Sequence, residues 1–454
     1  MKLYNSAAWL TTEKASPLTI SDAPFPEISA LQPDDIIIRA KAVAINPVDW
    51  KIQSSGDALF PIPYPAILGA DVAGEVIHVG EAVGSKFEVG QRVIAHALGF
   101  SHGWGYSSFQ RVVVVRGNTA VSVLPGGISF EEGVVLPVSV STAVAGLFWG
   151  ATLGLSLDGL KWGSGNKGTV LLWGGSSSVG SSVVQLATVA GYEVVATASE
   201  GNFGYVKGLG AVEVVDYHDE DVVDKLIKVL KGRKVVGAYD SIGTDSTVRQ
   251  TAEVLKALGG GRIASVGAAP DDLGEGVEAR RFSAANIEVQ EPEIGRAVWE
   301  DYVPRALEDG RLRPLPEQLV VGHGLEDIQK GLDRQKEGKR PARITAGKAA
   351  CSANSMLALN SHGIPGLILG GGVSERLPLI MPSRVKSRPG PQRTNLYYAT
   401  VAFTSNRTRT GKVTVGVTTR VIDATAIRTG VVETIQLRLR IDHTGNRQGL
   451  LAAV

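Results

Sequence analysis

The chain has 454 residues, 44% hydrophobic and 20% charged, with 55 glycines and a mean hydropathy of +0.08; this suits a glycine-rich globular protein of about three domains and excludes a disordered or fibrous one. A single cysteine, Cys351, excludes an intramolecular disulfide and a zinc cluster built on cysteines. The net charge of +1 hides 14 Lys plus Arg against 4 acidic residues after Gly347 and 32 against 41 before it, so no nucleic-acid partner is expected for a body this acidic, and the scattered cations of the tail form no clear patch.

No apolar run approaches the roughly 18 to 20 residues of a membrane span. Met1–Ser16 lacks the apolar stretch that marks a secretory signal. A cytoplasmic protein without a membrane partner is expected. In chain order, Asp35–Ile45, Ala73–Val79, Arg92–Ala97 and Phe109–Val115 are rich in Val, Ile and Ala and are broken by Gly and Pro. They predict a β-rich domain over residues 1–125.

From Thr169 the rhythm changes. Strands are predicted at Thr169–Trp173, Glu193–Ala198, Val212–Val215, Val235–Tyr239 and Arg262–Val266, with helices at Ser178–Ala190, Phe203–Leu209, Asp219–Lys231 and Asp245–Ala257. Such alternation predicts an α/β fold, a doubly wound parallel sheet over residues 126–289. A helix at Trp299–Glu308 and a strand near Arg343–Thr345 are expected to return to the first domain, so that residues 290–347 complete it. Residues 348–454 are expected to be a largely disordered, dispensable tail, with a small all-β appendage as the alternative.

The strongest local signal is the apolar strand that ends at Trp173 and runs into Gly174-Gly175-Ser176-Ser177-Ser178-Val179-Gly180. A Gly/Ser turn between strand and helix lets backbone N–H groups and the helix N-terminus approach a pyrophosphate. Ser177 departs from the all-glycine form; its Cβ would cost energy at a positive φ, whereas its hydroxyl could add a donor to phosphate. In the second turn Ser199 takes the first position after the strand, where a carboxylate would select NAD, and Glu200 follows it. With Asn202 and Tyr217 as further neutral groups, the expected cofactor is NADPH. Lys207 reads as a solvated helix face.

Four segments carry a resemblance. Ala44-Ile45-Asn46-Pro47-Val48-Asp49-Trp50-Lys51, the run Pro65–Val76 with Gly69-Ala70-Asp71, Leu136–Ala143, and the Gly174–Gly180 turn occur in the order and spacing of the medium-chain dehydrogenase/reductases. The branch resembles fungal quinone-oxidoreductase-like and trans-acting enoyl reductases, over about residues 1–347. The resemblance implies a GroES-like catalytic domain beside a Rossmann domain, with the active site in the cleft between them. It also implies Asn46 and Lys51 near the nicotinamide ribose, Thr142 near the carboxamide or substrate carbonyl, and Pro47, Val48 and Asp49 among the cofactor contacts. Some members of the branch serve polyketide synthases.

Zinc members of the same superfamily bind catalytic metal through a Cys and the His of a Gly-His-Glu. Here Asn46–Lys51 has no Cys and Gly69-Ala70-Asp71 has no His. The seven histidines show no metal spacing, His96 and His102 lying six apart, so no metal ligand is assigned. The small residues of Ser141–Gly146 suggest room for an extended acyl chain. The expected activity is NADPH-dependent reduction of the C=C of an α,β-unsaturated carbonyl, with the substrate a small molecule or carrier-bound. Quinone reduction and a non-catalytic NADPH-binding role are the alternatives, and either a monomer or a homodimer is compatible with the sequence.

Overall fold

The computed structural model describes residues 4–58, 61–158, 160, 165–285, 287, 290–338, 344–347, 398–407, 413–422 and 434–439. Two compact units divide the chain, 1–355 and 356–454. In the first, strands β1 (Asn5–Leu10), β2 (Thr19–Ala23) and β4 (Ala66–Ile67) form a small antiparallel sheet in the order β2-β1-β4. Strands β3 (Asp35–Ile45), β5 (Asp71–Val79), β6 (Arg92–His96), β7 (Val112–Arg116) and β8 (Val121–Val123) build most of a larger sheet, in which β5 lies between β3 and β6 and β7 also pairs with β3.

The strand expected from Phe109 starts three residues later. Its first residues peel away from β3 to serve β1: Ala8 N–H donates to the Phe109 carbonyl at 2.9 Å, and Gln110 bridges to Ala7.

The second sheet is wholly parallel. Strands β9 (Thr169–Trp173), β10 (Glu193–Ala198), β11 (Glu213–Asp216), β12 (Val235–Asp240), β13 (Gly261–Ser265) and β14 (Val277–Arg281) run in the order β11-β10-β9-β12-β13-β14. The central strand β9 is buried along its whole length, which is why Thr-Val-Leu-Leu-Trp shows no alternation. Helices Ser178–Val189 and Phe203–Leu209 share an apolar core with one face of β9 and β10, through Leu172 and Ala196. Val222–Leu230 and Asp245–Ala257 cover the other face over Leu171, Trp173 and Val195. The helix expected from Asp219 starts at Val222, because Asp219 and Asp221 form the preceding turn and both hold Lys225, at 2.8 and 2.9 Å.

The chain then returns to the first sheet. Strands β15 (Leu319–Gly322) and β16 (Ile344–Gly347) add to it, β16 antiparallel to β3 with Ile344 opposite Ile45. The segment expected as one helix from Trp299 is a helix with a π turn over Ala297–Tyr302, and Trp299 and Tyr302 are buried there.

The helix Pro137–Phe148 ties the two sheets together. Eleven of its twelve residues are buried. Val140, Val144 and Leu147 share one cluster with Ala42, Ala44 and Ala73 of the first sheet and with Val170 and Leu172 of the second. Burying each such Val or Leu contributes about 1.5–3 kcal/mol. The nineteen-residue stretch Phe130–Phe148 is long and apolar enough to cross a membrane, contrary to the sequence expectation, but 78% of its window lies inside the protein.

In the second unit, β17 (Tyr398–Arg407), β18 (Val413–Ile422) and β19 (Thr434–Leu439) form an antiparallel sheet in the order β17-β18-β19. The rest of the tail, with Cys351 and Pro382–Pro391, lies outside the described residues.

Candidate functional site

The order of strand addition in the doubly wound sheet reverses between β9 and β12, and the Gly174–Gly180 turn emerges at that point, where such sheets open a crevice for ligands. Gly174 has φ +87° and its N–H donates to Thr197 Oγ1 at 3.0 Å. A Cβ on Gly180 would run into the Gly174 carbonyl, so only glycine lets the helix start this close to the strand. Gly175 packs against Ala196 and Val206.

Ser177 has φ −68° and ψ 165°, so its Cβ carries no strain. Its hydroxyl does not wait for phosphate: Oγ caps the helix by accepting Gly180 N–H at 2.9 Å and lies 3.0 Å from Ser241 Oγ. Ser178 behaves differently, with an enclosed hydroxyl oxygen that has no hydrogen-bond partner among the described residues. Ser176 and Val179 are half-buried at the tip of the turn. A glycine cradle, a helix N-terminus and an unpartnered hydroxyl fit the pyrophosphate of a dinucleotide.

At the next turn Asn202 Nδ2 donates to Ser199 Oγ at 2.8 Å, which leaves the Ser199 hydroxyl proton available. Glu200 is exposed. Tyr217 is 43% exposed and its ring lies 4.1 Å from that of His218. Beside them is Asp216, at the end of β11, which sequence reasoning missed. Its carboxylate accepts from Glu200 N–H at 3.1 Å and from His218 N–H at 2.9 Å, and these donors with the His218 ring hold its pKa below the usual carboxylate value. The rim expected to be neutral around a 2′-phosphate therefore contains the Asp216 carboxylate beside the exposed Glu200. A groove of about 710 Å³ opens beside it, lined by Glu200, Phe203, Asp216 and Lys228 among others; Asn46, Lys51 and Thr142 do not line it.

Asp240, Ser241 and Ile242 also escaped the sequence reading. The buried Asp240 accepts from Ile242 N–H, Gly243 N–H and Thr247 Oγ1 at 2.9, 3.0 and 2.6 Å, and it shapes the turn that faces Gly174. Burial raises its pKa against those three donors. Ile242, 45% exposed beside Gly174, offers an apolar surface at the crevice. An Asp-x-x-Gly directly after a predicted strand was the available signal.

Asn46 follows β3 and caps the helix Pro47–Ser55, whose first residues are the exposed Pro47 and half-buried Val48. Its backbone N–H donates to Asp49 Oδ2 at 2.7 Å, and its Nδ2 donates to Asp71 Oδ2 at 2.8 Å. The other Asp71 oxygen accepts from Val138 N–H at 2.6 Å. Asp49 is fully buried. Burial, reinforced by the charge of Asp71 and opposed by the Asn46 N–H, pushes its pKa up to about 7. Lys51 is exposed, its ammonium 6.0 Å from the Trp50 ring centre, and it has no ion pair among the described residues.

Thr142 is buried, and its hydroxyl donates to the Val138 carbonyl one turn back. With that proton committed, the oxygen can accept from a carboxamide N–H but does not present a donor to a substrate carbonyl. The expectation of acyl-chain space at Ser141–Gly146 also fails. Ala143, Val144 and Ala145 are fully buried, and a Cβ on Gly146 would strike Tyr239 and Phe282, so these small residues serve helix packing.

Among the described residues no group of three or more His, Cys, Asp or Glu could hold a metal. His96 is buried in β6 while His102 is exposed and packs on Tyr106, so the pair does not converge. Asn46 directs its amide N–H at Asp71, a donor where a zinc ligand would have to offer a lone pair. The zinc site of the metal-dependent members does not fit these residues.

Residues 32–139 match the alcohol dehydrogenase GroES-like domain and residues 178–308 the zinc-binding dehydrogenase family. The zinc-binding alcohol dehydrogenase domain-containing protein cipB of Emericella nidulans is 38% identical, over 75% of this chain and 98% of that protein. The trans-enoyl reductase himH of Aspergillus japonicus is 35% identical, over 75% and 97%. Among solved structures, the CurK enoyl reductase superposes with a TM-score of 0.60 at 20% identity, covering 76% of this chain and 99% of that one. A mycobacterial protein complexed with NADPH gives 0.56 at 21%, covering 75% and 99%. The glycine turn at the sheet crevice and these likenesses agree: the chain is an oxidoreductase of the medium-chain dehydrogenase/reductase superfamily.

Proposed function

We propose that the protein is an NADPH-dependent enoyl reductase that saturates the conjugated C=C of an α,β-unsaturated carbonyl, free or carrier-bound, in the manner suggested by the trans-enoyl reductases it resembles. The observation that carries this reading is the hydrogen bond from Asn46 to Asp71, which joins the two segments that the resemblance sets against the metal-binding segments of zinc members. Reduction of an isolated ketone places alkoxide charge on one oxygen, whereas a conjugated acceptor spreads it through an enolate that hydrogen bonds can stabilise. When bound, the dinucleotide supplies hydride from C4 of its nicotinamide. The chain's own part in this reading is to hold the pyrophosphate at Gly174–Gly180, to accept a carboxamide N–H at Thr142, and to offer the exposed cation of Lys51 to the nicotinamide ribose. A polyketide synthase that presents the acyl chain on a carrier is the partner this reading implies.

The test is a panel of enals, enoyl thioesters, quinones and simple alcohols, each followed at the absorbance of the reduced nicotinamide with NADPH and with NADH. Enoyl thioesters or enals are expected to turn over best, with NADPH preferred in kcat/KM. Efficient oxidation of alcohols with no turnover of conjugated acceptors would overturn the reading. NADPH binding without any turnover would establish the non-catalytic alternative. Quinone reduction stays as the second enzymatic reading because structural neighbours at 21–22% identity include quinone oxidoreductases.

A further inference from the structure

Asp71 stands at the start of β5, opposite Ala44 of β3 and His96 of β6. It is completely buried. Each of its two oxygens takes a donor from a different part of the protein: Asn46 Nδ2 at 2.8 Å, from the end of β3, and Val138 N–H at 2.6 Å, from the first turn of the helix that joins the two sheets. That helix carries the path onward. The Val138 carbonyl accepts the Thr142 hydroxyl, and the Thr142 carbonyl accepts Tyr239 Oη–H of β12 at 2.8 Å.

We propose that Asp71 is the positioning residue of the cleft, a buried two-oxygen tie that holds Asn46 and Thr142 at a set separation although one follows a strand of the first sheet and the other lies on the helix between the sheets. This rests on the oxidoreductase reading. Burying a carboxylate is costly, and an apolar pair of the same volume would often be at least as stable. A carboxylate, unlike an apolar side chain, has two acceptors at a fixed angle, so it sets the direction of both donors. The helix N-terminus also favours a negative charge at Val138 N–H. Where zinc members use metal–ligand bonds to order this part of the cleft, Asn46 and Asp71 order it here with hydrogen bonds.

The test uses the full chain and four variants: Asp71→Ala, Asp71→Asn, Asn46→Ala and the Asn46→Ala/Asp71→Ala double variant. Asp71→Ala is expected to lower kcat about 30-fold while the KM for NADPH moves less than about 3-fold. Asp71→Asn, which keeps an acceptor for Val138 N–H and an amide that a turned Asn46 can meet, is expected to recover kcat to within about 5-fold of the parent. The double variant should be little worse than Asp71→Ala alone, because the two residues act as one unit. Losses that multiply, or an Asp71→Asn enzyme as poor as Asp71→Ala, would overturn the proposal.

Amide hydrogen exchange provides an arm that does not need turnover. Residues 136–142 should exchange at least about tenfold faster in Asp71→Ala, with Ser178–Val189 unchanged and Asp71→Asn close to the parent. If the parent turns over nothing, the enoyl reductase reading fails and exchange alone decides whether the tie exists. If Asp71→Ala does not fold, Asp71→Asn against Asn46→Ala decides: near-parent exchange in the first and fast exchange in the second support the tie, and equal exchange in both overturns it.

Discussion

The Asp49 side chain shows how a single residue acquires chemistry from its surroundings. Its carboxyl is fully buried, one oxygen takes the Asn46 N–H, and its pKa stands at about 7 against an ordinary 3.8. Because the folded value is raised, the folded state holds a proton that the unfolded chain releases near pH 4. Stability attributable to this group is therefore lost as pH rises from about 4 to about 7 and is flat above that, a loss on the order of 4 kcal/mol. Asp49→Asn keeps an acceptor for Asn46 N–H and should remove that slope. Denaturant unfolding of the variant and the parent at pH 5 and pH 8 measures it: the variant is expected to gain on the parent between the two pH values. An equal change in both proteins would show that Asp49 does not bury a proton. Gly180 is the opposite case, a residue whose value lies in what it lacks. Gly180→Ala puts a methyl group against the Gly174 carbonyl, and should cost about 1–3 kcal/mol in unfolding and weaken NADPH binding about tenfold or more, as read by nucleotide fluorescence titration.

Among the elements, strand β9 and its helix were legible because a fully buried parallel strand must be apolar at every position and the turn after it needs glycine at φ +87°. Strand β3, the helices Phe203–Leu209 and Asp245–Ala257 and strand β10 have the bounds their sequence predicts. Strand β1 was not legible. Asn-Ser-Ala-Ala-Trp-Leu contains no β-branched residue, yet all six of its residues are buried, because β2 and β4 pair with it on either side. Strand β14, Val-Glu-Ala-Arg-Arg, is a polar edge strand that only the neighbouring β13 makes into a strand. The helix Pro137–Phe148 was visible as a motif, but its role as the layer between two sheets was not. That role explains why Ser141–Gly146 is small: the helix must approach Tyr239 and Phe282 closely.

In the whole molecule, the sheet that begins with β3 is closed by β16, some three hundred residues later, at Ile344–Gly347. Fungal relatives match about 75% of this chain over 97–98% of their own length, a share close to that of the body up to Gly347. A chain ending at Gly347 is therefore expected to fold and to bind NADPH within about 3-fold of the full-length affinity, measured by thermal unfolding with and without the nucleotide. Failure to fold would show that the second unit stabilises the first. The sequence alone determined what depends on neighbours along the chain: the alternation of strands and helices, the glycine turn, and the absence of Cys and His at the positions where zinc members bind metal. Only the tertiary structure decided what depends on which distant groups meet. Ser177 was free to donate to phosphate until folding set its hydroxyl 3.0 Å from that of Ser241, in the turn after a different strand. Asp71 was one acidic residue among many until folding enclosed it between Asn46 and Val138. A hydrogen bond between residues dozens of positions apart leaves no periodicity in the chain, so its partners appear only when the two sheets and the helix between them come together.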